Sequence, residues 1–274
     1  LFTGKPGVLA FSGAYHGLSY GPLAALGLRE SYRAPFAAQL NPSVRFLPYP
    51  ADDDALDETL ERLRLELARG DVGAVLVEPV LGRGGCVVPP DAFLPELSAR
   101  CERASALLVA DEIWTGLGRT GSWLRSASVG VAADLICLGK GLGGGLPISA
   151  CIGRREVMAA WSQEAEVVHT STFAGAPLAC ATAIATLDTL SREHLIQRSQ
   201  DVGARFVERL RRAGATARGA GLMVGIELGG RAGAAVDVGR KLLGAGFLTS
   251  TGGGARDALV LTPPLTIAET LLDA

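Results

Sequence analysis

Short apolar runs without polar alternation recur along the first half of the chain. Those that we predict to be strands cover residues 8–11, 72–77, 107–110 and 135–138. Between them, a helix is predicted over 52–70, where leucines recur at helical spacing, and another over 91–105. Strands that are apolar on both faces and separated by helices are typical of a largely parallel sheet covered on both sides. The pattern therefore predicts an α/β fold.

The pattern changes in the last hundred residues. Residues 177–212 predict one long helix, and strands are predicted at 222–228 and 258–261 among glycine-rich turns. At 274 residues the chain exceeds the usual size of one domain, which is roughly 100–200 residues. We therefore predict a large domain over 1–195 and a small α+β domain over 196–274, hinged on the long helix.

Composition narrows the classes of partner. The chain is 48% hydrophobic and 20% charged, with a formal net charge of -2. Its basic residues form no stripe, so we expect no nucleic acid partner. No apolar run is long enough to span a bilayer and no signal peptide leads the chain, so we expect no membrane association and a cytoplasmic location. Because the chain starts at Leu1 without Met, we expect it to be a fragment of a longer protein.

Three ionisable residues each follow a predicted strand. Glu78 comes after 72–77, Asp111 after 107–110, and Lys140 after 135–138. Ligands of open parallel sheets bind beyond the carboxyl ends of the strands, so we expect these side chains to meet in one crevice. A partly desolvated lysine suits Schiff-base chemistry, although a solvated loop lysine is the commoner case. Asp111 could bind a metal, act as a base, pair with a cationic ring nitrogen, or only cap a turn.

Other motifs leave alternatives open. The loop at Lys140 spells G-x-G-x-x-G through Gly139, Gly141 and Gly144, but a dinucleotide site needs a helix there and a strand is predicted over 147–152. Tyr15 could stack on a flat ring or pack in the core. Thr172 precedes the long helix, where a hydroxyl caps the helix or binds a phosphate. The three histidines have no metal-ligand spacing, so we expect no metal.

Taken in order, these segments resemble the class III aminotransferases. The segments that carry the resemblance are Tyr15-His16-Gly17, Glu78-Pro79, Asp111-Glu112-Ile113, Gly118-Arg119-Thr120-Gly121, the run from Lys140 to Pro147, and Thr172-Phe173. The separation of 29 positions from Asp111 to Lys140 also matches the family's spacing. The likeness runs from Tyr15 to about Pro264 and is highly specific. It implies an aspartate-aminotransferase-like fold, the fold type I of pyridoxal-phosphate enzymes.

The resemblance also implies a role for each residue. Lys140 would carry pyridoxal 5'-phosphate as an internal aldimine, and Asp111 would keep the pyridine nitrogen protonated. Tyr15 and Ile113 would cover the two faces of the ring, and Thr172 would donate to the phosphate across a homodimer interface. His16 and Glu78 are the remaining cofactor-site residues that it implies. The expected reaction transfers an amino group from an amino acid or amine to a 2-oxo acid or aldehyde.

This sequence departs from the family's pattern in two ways. The family's phosphate-binding Gly-Ser/Thr loop precedes Tyr15-His16-Gly17, and this chain starts too late to include it. Members that act on α-amino acids often carry an arginine where this chain has Val260, and ornithine and 4-aminobutyrate enzymes often carry a glutamate where it has Arg83. Since a bidentate arginine is the natural clamp for a carboxylate, either Arg83 supplies it or the substrate differs.

Three alternative functions remain at this stage. A racemase, epimerase or aminomutase of the same fold would share Lys140 and Asp111. A non-catalytic truncated homologue would keep the fold without the reaction, although retention of these residues together with Thr172 argues against decay of the site. A nicotinamide oxidoreductase depends only on the glycine pattern. The sequence favours transamination and leaves the amino donor open.

Overall fold

The computed structural model describes residues 1–161, 169–229 and 231–273. Its strands are β1 Gly7–Phe11, β2 Val44–Leu47, β3 Val72–Val77, β4 Leu107–Asp111, β5 Leu135–Leu138, β6 Ala150–Gly153, β7 Thr216–Ala220, β8 Met223–Glu227, β9 Ser250–Gly252 and β10 Ala258–Leu261. Its helices are α1 Tyr20–Ala24, α2 Glu30–Arg33, α3 Asp53–Leu67, α4 Phe93–Arg103, α5 Arg125–Ser128, α6 Arg155–Ala159, α7 Pro177–Arg192, α8 Leu195–Arg212 and α9 Ala234–Gly244. Short 3₁₀ turns cover Ala34–Gln39, Lys140–Gly143 and Glu269–Leu271.

The larger sheet has the strand order β2-β1-β3-β4-β5-β6. β2, β1, β3, β4 and β5 are parallel to their neighbours, and β6 pairs with β5 in the antiparallel direction. Side chains on its strands, such as Leu9, Phe11 and Val75, are fully buried against the flanking helices. The predicted α/β class with a mostly parallel sheet is confirmed, because apolar residues on both faces of a strand require cover on both sides.

The helices that cover this sheet follow the leucine spacing. α3 begins after Asp52, whose carboxylate accepts a hydrogen bond from the Ala55 N–H at 2.9 Å and caps the helix. Leu56, Leu63 and Leu67 of α3 are buried in the same apolar core as the sheet. Burial of one leucine stabilises a fold by roughly 1.5–3 kcal/mol, so this stripe fixes which face of α3 meets the sheet.

The prediction of one long helix over 177–212 was wrong, because the chain turns between α7 and α8. His194 lies in the left-handed region with φ 50°, which ends one helix and redirects the next. The sequence has no proline or glycine at this point, so the break carried no local signal. β2 was also missed, because it has only four residues and includes Arg45, whose guanidinium pairs with Glu66 and Asp71.

The smaller sheet is antiparallel, with the order β7-β8-β10-β9. Its first strand begins at Thr216 and its last ends at Leu261. α8 packs on it through Val207 and Phe206, and α9 contacts β9 and β10. The strands are thus divided between a large parallel and a small antiparallel sheet. The domain boundary between residues 195 and 196 stays a prediction.

Arg119 joins the two sheets. Its Nη1 donates to the carbonyls of Leu222 at 2.9 Å and Pro263 at 2.6 Å, while the Leu222 N–H donates to the Arg119 carbonyl at 3.0 Å. Burial lowers the pKa of this guanidinium to about 10. A half-buried arginine that donates to carbonyls flanking the strands of the small sheet holds the loop after β4 in place, which matters because that loop carries site residues.

Within the described ranges, every helix is too short or too polar to cross a lipid bilayer.

The packing of α8 on the small sheet generates a stability prediction. A Cβ placed on Gly203 of α8 would lie 1.9 Å from the Gly221 carbonyl oxygen, whereas one on Gly239 of α9 would meet only the Thr249 hydroxyl at 3.5 Å. Gly203→Ala should therefore lower the free energy of unfolding by about 1–3 kcal/mol through overpacking. Gly239→Ala is the matched control and should raise it by about 0.5–1 kcal/mol. Urea denaturation measures both, and equal effects at the two positions would refute the close approach.

Candidate active site

The residues predicted to converge stand at the carboxyl ends of neighbouring strands. Glu78 follows β3, Asp111 ends β4, and Lys140 follows β5 after Gly139. Lys140 has φ 45°, in the left-handed region that non-glycine residues avoid. Such strain persists only where the surroundings impose it, and it is common where a side chain must be aimed at a ligand. The backbone therefore marks Lys140 as a position with a functional constraint.

Asp111 is held by two contacts. Its Oδ2 lies 2.8 Å from Nδ1 of His16, and its Oδ1 accepts the backbone N–H of Ile113 at 3.1 Å. Both side chains of the pair are buried, with 2% exposure for His16 and 8% for Asp111. Nε2 of His16 has no hydrogen-bond partner among the residues that the structure describes. Because a carboxylate oxygen accepts more than one hydrogen bond, Asp111 keeps capacity for a further donor such as a protonated ring nitrogen.

Glu78 ties the strand end to the segment after β1. Its Oε1 accepts the Tyr15 N–H at 2.7 Å and its Oε2 accepts the Gly82 N–H at 3.0 Å. Burial raises the pKa of this carboxyl, and the nearby Asp111 raises it further, against the lowering effect of the two N–H donors and His16. Glu78 therefore fixes the position of Tyr15 and adds negative charge beside Asp111.

Lys140 lies near these carboxylates, and although the residue as a whole is exposed, its amine is partly desolvated. Its Nζ is 4.4 Å from the ring centroid of Trp114, a cation–π distance. Burial lowers the pKa of the Lys140 amine, the carboxylates of Glu78 and Asp111 raise it, Arg83 lowers it, and the net shift is downward. A lowered pKa increases the share of neutral amine, which is the form that attacks a carbonyl or accepts a proton.

The Glu112 side chain fixes the loop after Asp111 through hydrogen bonds, and the residue is only 1% exposed. One carboxylate oxygen accepts the Ser126 N–H at 2.7 Å and the Ser126 hydroxyl at 2.8 Å, and the other pairs with the Thr115 hydroxyl. Burying a carboxylate costs little free energy when all of its hydrogen-bond partners are in place, and the bonds make the bound segments more rigid. Glu112 thereby positions Ile113 and Trp114 against Lys140.

Two cavities meet at Lys140. One of about 820 Å³ is lined by Lys140 with Trp114, Ile113 and Leu265, and another of about 700 Å³ is lined by Lys140 with Ser149 and Phe173. Ligand sites usually have volumes of about 300–1,000 Å³. Each of the two cavities that Lys140 lines falls within this range, which is sufficient for a ring-shaped cofactor or a small substrate.

The structure brings most of the predicted site residues together. Tyr15, His16, Glu78, Asp111, Ile113 and Lys140 form one connected group through the contacts above. Thr172 does not join it: the residue is exposed in a turn ahead of α7, and no hydrogen bond between Thr172 and this group exists among the described residues. The assignments of roles remain predictions.

Two contacts escaped sequence reasoning. Trp114 contacts the Lys140 amine, and the guanidinium carbon of Arg83 lies 4.7 Å above the Tyr15 ring. Trp114 follows Asp111 by three residues in the loop after β4, and that placement was the available signal. Among the described residues, no cluster of three His, Cys, Asp or Glu side chains could hold a metal ion.

The donor set fits pyridoxal phosphate. A desolvated lysine amine can bind its aldehyde, and a buried carboxylate with spare acceptor capacity can hold its ring nitrogen. Together with a mostly parallel sheet and a small antiparallel sheet, these groups define the class of pyridoxal-phosphate-dependent enzymes. The model of the aminotransferase class-III family matches residues 2–274, so the chain belongs to that family, whose members depend on this cofactor.

Individual relatives agree with the family. Acetylornithine aminotransferase of Methanosarcina mazei is 34% identical over 276 residues, covering 99% of this chain and 65% of the relative. Ornithine aminotransferase 1 of Staphylococcus saprophyticus is 35% identical, covering 97% of this chain and 64% of the relative. The chain thus spans a little less than two thirds of the length of these curated relatives.

Solved structures agree with the fold. An amine transaminase from an uncultivated Pseudomonas species, in its pyridoxal-phosphate-bound form, superposes with a TM-score of 0.91 at 29% identity, covering 99% of this chain and 68% of that one. The ornithine aminotransferase of Toxoplasma gondii superposes with a TM-score of 0.87 at 31% identity, covering 98% of this chain and 62% of that one. The expected aspartate-aminotransferase-like fold is confirmed.

The electrostatics of the site generate a pH prediction. Because the Glu78 carboxylate stabilises the protonated Lys140 amine, Glu78→Gln should lower the pKa of Lys140 further. Acetic anhydride labelling of cofactor-free protein across a pH series, read by mass spectrometry with exposed Lys241 as internal reference, measures this pKa. Glu208→Gln on the surface is the control and should leave it unchanged. An unchanged or raised Lys140 pKa in Glu78→Gln would contradict the arrangement.

Proposed function

We propose that this protein catalyses pyridoxal-phosphate-dependent transamination, moving an amino group from an amino acid or amine to a 2-oxo acid or aldehyde. The observation that carries the proposal is the partly desolvated Lys140 amine near a buried Asp111 that His16 and the Ile113 N–H hold in place. Relatives named acetylornithine, ornithine and 4-aminobutyrate aminotransferases support transamination over racemisation or aminomutation.

Each residue has a proposed part in holding the cofactor. Lys140 Nζ would hold its aldehyde carbon, Asp111 would pair with its ring nitrogen, and Tyr15 and Ile113 would pack against the ring. When bound, pyridoxal phosphate draws electrons from the substrate Cα and so acidifies its proton. His16 keeps the Asp111 carboxylate oriented, and Glu78 keeps Tyr15 in place through its backbone N–H.

The chain's own groups also handle the proton. In its neutral form Lys140 Nζ can accept the proton from the substrate Cα and return it, and the lowered pKa increases the share of that form. Trp114 shields the amine from water on one side. The burial of Asp111 would strengthen its attraction to a protonated ring nitrogen of the bound cofactor.

The proposal includes a homodimer. Thr172 is exposed and precedes α7, so its hydroxyl is available to donate to a cofactor phosphate in a neighbouring subunit. Phe173 next to it is 81% exposed and Leu178 is 69% exposed, an apolar area of the kind that interfaces cover. The other proposed partners are an amino donor and a 2-oxo acid acceptor, and the proposed location is the cytoplasm.

The first experiment tests whether Lys140 carries the cofactor. Protein incubated with pyridoxal phosphate and then reduced with borohydride should retain the cofactor covalently on the peptide that contains Lys140. Lys140→Ala should retain none, whereas Lys241→Ala on the surface should behave as the unmodified protein. Mass spectrometry of the digest reads the site, and cofactor fixed on Lys5 or Lys241 would overturn the assignment.

A second prediction concerns Asp111. Asp111→Asn should still be fixed to the cofactor by borohydride, but its kcat should fall by about 100-fold or more, because an amide cannot stabilise a protonated ring nitrogen. Amino donor and 2-oxo acid are assayed under saturating cofactor. Asp91→Asn, at an exposed carboxylate paired with Arg125, is the control. Full activity in Asp111→Asn would remove the electrostatic role.

A further inference from the structure

The loop after β3 places one arginine beside the site. Arg83 lies between Glu78, which is bonded to Tyr15, and Gly85, which packs against the small sheet. Its carbonyl accepts the Gly253 N–H at 2.9 Å. The backbone of Arg83 is thus held by both sheets, and its guanidinium carbon lies 4.7 Å from the Tyr15 ring centroid.

The Arg83 guanidinium has no polar partner among the residues that the structure describes: its only recorded side-chain contact is the Tyr15 ring. The neighbouring arginines Arg119 and Arg218 already have polar partners. Arg119 donates to two carbonyls, and Arg218 pairs with Glu227 at 2.8 Å and donates to the Gly85 carbonyl at 3.1 Å. A half-buried guanidinium stacked on an aromatic ring with its N–H donors unused is preorganised for an anion.

The positive charge of Arg83 acts on the same space as Lys140. It contributes to the lowered pKa of the Lys140 amine, opposing Glu78 and Asp111. Tyr15, over which the guanidinium lies, is adjacent in sequence to His16 and therefore to the Asp111 pair. The guanidinium stacked on Tyr15 is therefore close enough to the Lys140 amine for its charge to act there.

Strand β10 of the small sheet contributes no cation at Val260. Val260 of β10 is 2% exposed and lies in an apolar cluster with Val80, Cys86 and Met223, against which Trp114 packs. A side chain enclosed in that cluster offers a substrate no charge. The loop after β3 therefore contributes a cation at Arg83, whereas β10 contributes none at Val260.

We propose that Arg83 binds a carboxylate of the substrate, so that the site takes carboxylate-bearing amino donors and acceptors and disfavours diamines. The proposal deepens the proposed transamination and rests on it. Two parallel N–H donors of the planar guanidinium would hold the carboxylate. The second ammonium group of a diamine would instead face a like charge and lose its hydration without a partner.

Binding of an unreactive dicarboxylate tests the contact without turnover. Glutarate is titrated into the holoenzyme by calorimetry, for the unmodified protein, Arg83→Lys and Arg83→Gln. Loss of a charged bidentate contact should weaken binding by about 10–100-fold in Arg83→Gln. Arg83→Lys keeps the charge but not the fork and should fall in between. Arg62→Gln, at an exposed arginine paired with Glu58, should bind as the unmodified protein does.

Kinetics then separates specificity from general damage. The ratio of kcat/KM for an amino acid donor to kcat/KM for 1-phenylethylamine should fall by about 10–100-fold in Arg83→Gln. Arg83→Glu should raise kcat/KM for putrescine relative to the unmodified protein, because the charge is reversed. An unchanged donor ratio and unchanged glutarate affinity in Arg83→Gln, with normal turnover of the unmodified protein, would overturn the role of Arg83 alone. Absence of cofactor fixation or of any transamination in the unmodified protein would instead overturn the proposed function.

Discussion

Two carboxylates buried beside one amine are the constraint on which the rest of the site depends. Taking a charge out of water costs several kcal/mol unless partners replace its hydration. Each carboxylate therefore has its own partners: Glu78 accepts two backbone N–H groups, and Asp111 accepts one and pairs with His16. These partners come from the segments after β1, β3 and β4, so satisfying the charges also fixes the geometry of three loops around Lys140.

The small sheet takes part in that geometry. Arg119, in the loop after β4, donates hydrogen bonds to the Leu222 and Pro263 carbonyls. The Gly253 N–H donates to the Arg83 carbonyl. These bonds run between segments that are more than a hundred residues apart, so the loops hold their positions only when both sheets are folded. The second sheet is in this sense part of the active site's support, even though the groups proposed to touch the cofactor come from the first.

The charge balance around Lys140 connects the fold to chemistry. Desolvation and Arg83 favour the neutral amine, whereas Glu78 and Asp111 favour the protonated one. A group that acts both as a base and as a nucleophile works best when its pKa lies near the working pH. The position of Arg83 adds a second consequence, because a charge that tunes the amine also stands where a substrate carboxylate can reach it. Val260 lies in an apolar cluster and offers no charge, so the proposed carboxylate contact comes from Arg83 in the loop after β3.

The sequence by itself determined most of the large sheet and the positions of the residues at its strand ends. Apolar runs such as 72–77 and 135–138 are local signals, and their order with Glu78, Asp111 and Lys140 identified the family. Only the tertiary structure decided the partners: His16 meets Asp111 across 95 residues of chain, Trp114 meets Lys140, and Arg83 stacks on Tyr15. The break at His194 was likewise invisible, since no proline or glycine marks it. Periodicity reports which face of an element is buried, but a contact between distant loops depends on how the sheets pack, and no local pattern encodes that.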